Sequence, residues 1–281
     1  MALAVGWTEA ECLAGGASAD RDLDGVLDRC EHDLAAAFAP VLRVDERECG
    51  WDESVAPGRI GGEYLYAVQR RPSGDGLRIA YMPAYYRDCG WSLPVCRLTP
   101  SVCEGHAGDS EMVALDVAFD PRTARWETRR VFLSAHCHGR SAGRCRWYEG
   151  RGLERFSWAD GVRRGAPLVW VAHGKHGGYP TAAECDTGHW GYDGCRGNRT
   201  AYRFPVASPR QNAGSRTHPF PHGSGEECIG PREAGWRSDV PDPAARECFW
   251  DPAARFRGWQ GAEAGAGATG YGRYLREVAG F

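Results

Sequence analysis

The spacing of hydrophobic residues changes once along the chain. From Asp20 the apolar positions Leu23, Val26, Leu27, Cys30, Leu34 and Phe38 recur at three- and four-residue intervals, the stripe of an amphipathic helix, and Pro40 ends it. This predicts one helix over about residues 20–39. After Pro40 the period falls to two. Residues 63–70 and 77–86 alternate Tyr, Ile and Val with smaller or polar side chains, as half-buried strands do. The clearest strand is 111–119, with Glu111, Val113, Leu115, Val117 and Phe119 on one face. A turn sequence at 120–124 returns the chain as a hairpin partner over 126–135. Residues 167–173 form a short continuous apolar run, consistent with a strand buried on both faces. Beyond about residue 180, Gly, Pro, Asp, Trp and Cys with weak periodicity predict long crosslinked loops.

Many short strands separated by turn residues make the chain mainly β. The expected architecture is an antiparallel jelly-roll-like β-sandwich with an N-terminal helix and long disulfide-crosslinked loops. Its organisation reads as a flexible N-terminus (1–19), a single sandwich domain (20–260) and a Gly/Ala-rich C-terminal tail (261–281). The N-terminus carries Glu9 and Glu11 and has no basic start followed by an apolar stretch. It does not read as a signal peptide, and a mature form is expected.

Composition narrows the function classes. The 281 residues hold 34 Lys+Arg and 37 Asp+Glu, a net charge of −3, interspersed without a basic stripe, which argues against a nucleic-acid partner. No apolar run approaches the roughly 18 residues that a transmembrane segment needs. Twelve cysteines without a CxxC pair read as a disulfide framework, and so as a secreted or periplasmic protein. Arginine outnumbers lysine so heavily, beside abundant Ala and Gly, that a GC-rich bacterial source is expected. Lys175 is the only lysine.

Three polar clusters could carry chemistry. In the first, His106, Asp109 and Glu111 converge at a strand start. Two carboxylates and one imidazole suit a divalent cation, calcium or magnesium before zinc, although the same residues could cap a turn and face solvent. The second, His136-Cys137-His138, ends the hairpin partner and should lie near the first. The third, His173-Gly174-Lys175-His176-Gly177-Gly178-Tyr179, follows the apolar run. His176 is a candidate ligand or general base there, with His173 and Tyr179 as binding residues.

Four blocks together resemble the vacuolar protein sorting 62 family and its bacterial relatives. They are residues 34–42 with Ala39-Pro40-Val41-Leu42, His106-Ala107-Gly108-Asp109-Ser110-Glu111, residues 131–136 ending in His136, and residues 169–179. The central block is also similar to the G-H-R-H-D-W-E heptad of the necrosis- and ethylene-inducing cytolysins. That resemblance implies a jelly-roll-like sandwich that recognises sphingolipid head-group sugars and in which His106, Asp109 and Glu111 help hold a divalent cation. Ser110 stands where that heptad has tryptophan, and Ala107-Gly108 where it has Arg-His. The bacterial relatives further imply a crosslinked loop after the G-K-H block, with Cys185 paired to Cys195. Cys137 is expected to pair with Cys145.

The resulting expectation is a secreted, disulfide-rich protein whose cation site engages a glycan or lipid head group at a cell surface. One alternative is a metal-dependent hydrolase using the same cluster, with His136 and His176 transferring protons and Lys175 stabilising negative charge. Against it, H-E-x-x-H is missing from the sequence. Another alternative is a structural or interaction protein with no bound metal. Oligomeric state is not legible in the sequence.

Overall fold

A computed structural model describes residues 6–14, 16, 18–45, 65–88, 106–135, 145–188, 193–204 and 206–215, with side chains at all of these but 65, 84–88, 106–110 and 210. The chain is mainly β. Two antiparallel-rich sheets and a small two-stranded one are accompanied by short helices. Among the described residues the α-helices are α1 (Glu9–Cys12), α2 (Asp28–Phe38) and α3 (Ala182–Asp186). In chain order the strands begin with β1 (Val41–Asp45), β2 (Leu65–Arg70), β3 (Leu77–Met82), β4 (Ala84–Asp88) and β5 (His106–Ser110). They continue with β6 (Val113–Asp120), β7 (Arg125–Leu133), β8 (Arg146–Glu149), β9 (Leu168–Val171), β10 (Gly178–Tyr179) and β11 (Asn198–Arg203).

One sheet runs β2-β3-β6-β7-β8 and is antiparallel throughout. The β6–β7 hairpin is where alternation placed it. Its turn closes because Asp120 Oδ1 accepts the backbone N–H of Arg122 at 2.9 Å, the local bond that makes Asp a turn former. Gly76, at φ 84, lets the β2–β3 turn pass close to β6: a Cβ there would lie 3.0 Å from Ala118 Cα. The second sheet runs β10-β9-β1-β11 and departs from the antiparallel expectation, since β1 and β9 pair in parallel. The run 167–173 is not buried on both faces either. Val169 and Val171 enter the core, whereas Leu168 and Trp170 on the other face are half-buried.

Both sheets and α2 feed one core, in which Leu34 and Phe38 meet Leu42, Val44, Tyr81, Leu115, Val169 and Phe204. The Tyr81 and Phe204 rings meet edge-on at 5.3 Å, and the Tyr81 hydroxyl donates to Ala35 O at 2.8 Å. The N-terminal helix is shorter than its apolar stripe suggests: α2 begins at Asp28, and residues 20–27 are a loop. Residues before 20 also contribute structure. Thr8 caps α1 in a capping box with Glu11, Trp126 Nε1 donates to Trp7 O at 2.8 Å, and a disulfide joins Cys12 to Cys30. The tail at 261–281 lies outside the described residues. Among the described residues no cysteine is free, and no helix is long and apolar enough to cross a membrane.

Candidate metal centre

The loop between α1 and α2 is built from alternating aspartates. Asp20 folds it back by accepting the N–H groups of Asp24 at 3.2 Å and Gly25 at 2.9 Å on its two carboxylate oxygens. Asp24 Oδ1 repeats the device on Val26 N at 2.8 Å. The curl needs left-handed backbone at Leu23 (φ 55) and Gly25 (φ 87), and Leu23 is left 49 % exposed. The ends of the loop are fastened by Leu27 N to Cys12 O and Asp28 N to Ala19 O, at 2.9 and 3.0 Å, and by the Cys12–Cys30 disulfide.

This geometry drives several carboxylates together. One ligand oxygen from each of Asp22, Asp24 and Glu31 lies within 4.8 Å of the others, and the same holds for Asp20, Asp22 and Asp28. Asp22 and Glu31 are completely buried. Both oxygens of Asp22, Oδ2 of Asp24 and Oε1 of Glu31 accept no hydrogen bond. Buried anions without partners are costly, and the titration of these groups reflects it. Burial, reinforced by the charge of Asp24, pushes Asp22 up to about 8. Burial likewise pushes Asp24 up to about 7, and Glu31 rises well above the usual carboxylate range through burial and the charges of Asp24 and Asp22. The charges that raise them are themselves negative, and the guanidinium of Arg21 pairs instead with Asp28, Nε to Oδ2 at 2.5 Å. An acidic cluster of this kind could bind a divalent cation, and its all-oxygen donors suit a hard one.

The signal for this centre was present in the sequence. Counting from Asp20, aspartates occupy places one, three, five and nine, glycine place six and glutamate place twelve, the D-x-[DN]-x-[DN]-G-x5-E pattern of calcium loops. It is masked by Leu23, Val26, Leu27 and Cys30, whose spacing also satisfies a helix. The polar positions carried the decisive pattern.

A distant segment closes the centre. Asn212 Nδ2 donates to Glu31 Oε2 at 2.6 Å, and Ser215 Oγ donates to Asp22 O at 2.5 Å. Asn212 also forms a parallel bridge with Tyr66 on β2, and Ala213 N donates to Tyr66 O at 2.7 Å. The Tyr66 hydroxyl lies 3.3 Å from His32 Nδ1.

Among the residues expected from sequence, His106 and Asp109 stand on β5 in register with Asp88 and Tyr85 of β4, and their side chains lie outside the described residues. Glu111 sits half-buried in the break between β5 and β6, where its carboxylate accepts the Ser134 hydroxyl. His136, Cys137 and His138 lie outside the described residues. The third block meets the chain just after β7: Gly178 N donates to Ser134 O at 3.2 Å, and a Cβ on Gly177 would touch that of Ala135 at 3.3 Å. Within the block His173 is exposed, Lys175 half-buried and His176 buried at φ 57. Tyr179 is buried and its hydroxyl donates to the Asp193 carboxylate. Cys185 and Cys195 are joined in a disulfide beneath this block. Cys145 is also disulfide-bonded, while its expected partner Cys137 is outside the described residues.

No family model, no curated protein and no solved structure matches the chain.

Proposed function

We propose that this chain is an extracytoplasmic, disulfide-braced β protein that holds one calcium ion in the loop of residues 20–31. The observation that carries the reading is the burial of Asp22 and Glu31 with carboxylate oxygens that accept no hydrogen bond. Calcium is favoured over magnesium because it takes six to eight oxygens in flexible geometry. The pattern supplies them from Asp20, Asp22, Asp24, the Val26 carbonyl and both oxygens of Glu31, while Asp28 at the ninth place accepts the backbone N–H and the Nε–H of Arg21. Since Asp20, Asp22 and Glu31 are buried, the ion braces the fold instead of bridging a sugar. Protein purified without chelator is expected to carry one calcium per chain, and the Asp22→Asn/Glu31→Gln double variant none. A wild type that holds no ion and gives no heat on calcium titration overturns the reading.

Head-group engagement belongs to a separate place, on a jelly-roll-like scaffold, around His106, Asp109 and Glu111. Its support is the resemblance of those residues to the cytolysin heptad and Ser134, which accepts from Gly178 N through its carbonyl and donates its hydroxyl to Glu111. Glycan and lipid arrays probed with wild type and Glu111→Gln test it. Binding lost in the variant is expected, and a wild type that binds no glycan or lipid rejects it. Turnover of chromogenic esters, phosphates or glycosides would favour the hydrolase instead.

A further inference from the structure

The cation loop is local in sequence, yet its twelfth-place carboxylate is held by a residue 181 positions away. In a calcium loop this glutamate presents both oxygens to the ion, so its side-chain orientation has an outsized effect on affinity. Glu31 has little freedom here. Oε2 accepts from Asn212 Nδ2, and Oε1 is buried without a hydrogen bond. The Asn212 amide is itself fixed: Oδ1 accepts Gly214 N at 2.9 Å, which assigns Nδ2 to Glu31. It is 2 % exposed. A neutral amide is suited to this task because it donates one hydrogen bond while leaving the carboxylate's charge and its remaining lone pairs for an ion. An ammonium or guanidinium would compete with the cation.

The segment that carries Asn212 is built as a strap. Gln211 Oε1 accepts the N–H groups of Ala207 and Ser208 at 2.7 and 2.9 Å, and Asn212 N donates to Pro209 O at 3.1 Å, which shapes the turn before it. Ala213 then lies along β2 through Tyr66 O, and Ser215 grips the third place of the loop through Asp22 O.

We propose that residues 209–215 and the loop of residues 20–31 are one coupled unit, in which Asn212 is the positioning residue for Glu31: the docked strap raises calcium affinity, and bound calcium holds the strap on β2. This rests on the calcium reading above. Coupling of this kind is reciprocal, so each half can be measured separately.

The experiment uses the full chain. Calcium titration by calorimetry is expected to show binding by Asn212→Leu weakened by roughly 10- to 100-fold, the usual cost of losing an outer-sphere partner of a metal ligand. The rise in melting temperature on adding calcium should shrink in the variant, whereas a merely structural role would lower the melting temperature equally with and without calcium. In the wild type, hydrogen exchange at the Ala213 amide should slow when calcium is added. A folded Asn212→Leu protein with wild-type affinity, or an Ala213 amide whose exchange ignores calcium in a wild type that binds it stoichiometrically, overturns the coupling and leaves the calcium reading intact. A wild type that binds no calcium overturns the calcium reading itself, and the coupling with it.

Discussion

Arg78 grips Asp116 across the β3–β6 pair with two prongs, Nε to Oδ1 at 2.6 Å and Nη2 to Oδ2 at 3.0 Å, and both residues are buried. Arg71 and Arg130 add further contacts to Oδ2, at 3.2 and 3.5 Å, and the guanidiniums of Arg78 and Arg130 each lie over the Trp147 ring, 4.7 and 4.5 Å from its centroid. A buried carboxylate in this protein is thus surrounded by positive charge when the chain provides for it. Asp22, Asp24 and Glu31 instead face one another.

Removing Asp116 should therefore be severe. Asp116→Asn leaves Arg78 buried without its counter-charge, a loss of about 3–5 kcal/mol by the usual cost of breaking a buried pair. Urea unfolding should show the midpoint falling, and calcium binding by the folded fraction should be unchanged because the sheet, not the loop, is affected.

Without calcium, stability should fall as pH rises. An unfolded chain releases the Asp22 and Asp24 protons near pH 4, whereas the folded chain keeps them until about 8 and 7. Across that window the folded state binds more protons, so the stabilisation present at low pH is lost as pH climbs through the folded values. Calcium displaces those protons and should abolish the decline. Melting temperatures from pH 5 to 8.5, in chelator and in calcium, check both halves. A flat profile in chelator would contradict the buried cluster.

Opening the Cys12–Cys30 disulfide should loosen the centre, since Cys30 directly precedes Glu31. The Cys12→Ala/Cys30→Ala double variant is expected to lose about 2–4 kcal/mol of stability and to bind calcium more weakly. Denaturant titration and calorimetry on the same variant separate the two effects.

Gly188→Ala should disturb the other end of the protein. A Cβ at 188 would stand 2.7 Å from Tyr179 Cζ, and the buried ring cannot retreat without giving up its hydrogen bond to Asp193. Overpacking of this order costs about 1–3 kcal/mol. Thermal unfolding should register it, with calcium affinity unaffected.

How much of this was legible depended on which residues carried the signal. The β6–β7 hairpin was plain because Val113, Leu115 and Val131 alternate around a turn begun by Asp120. β11 was not, because Asn198-Arg199-Thr200-Ala201-Tyr202-Arg203 is a mostly exposed edge strand whose pairing with β1 is set by backbone and by Asn198. The Asn198 amide donates to Arg43 O at 2.8 Å and Val171 O at 2.6 Å. The parallel β1–β9 pair was hidden for a similar reason, since periodicity reports faces and not neighbours. At the centre, the apolar stripe outweighed the aspartates. Asn212 carried no local cue at all: its role exists only once residues 181 positions apart have met.

That separation sets an order of events. The turns made by Asp20 and Asp24 span only a few residues and can form as soon as the chain collapses. The bond from Asn212 to Glu31 must wait until the strands between them are paired, because long-range contacts require the closure of a large loop first. A nascent chain would accordingly meet calcium with a weak, half-formed site and acquire tight binding in the last step of folding. In stopped-flow folding and unfolding experiments, calcium should slow unfolding far more than it speeds folding. The ion would act as a seal on a finished protein, not as the seed around which it condenses.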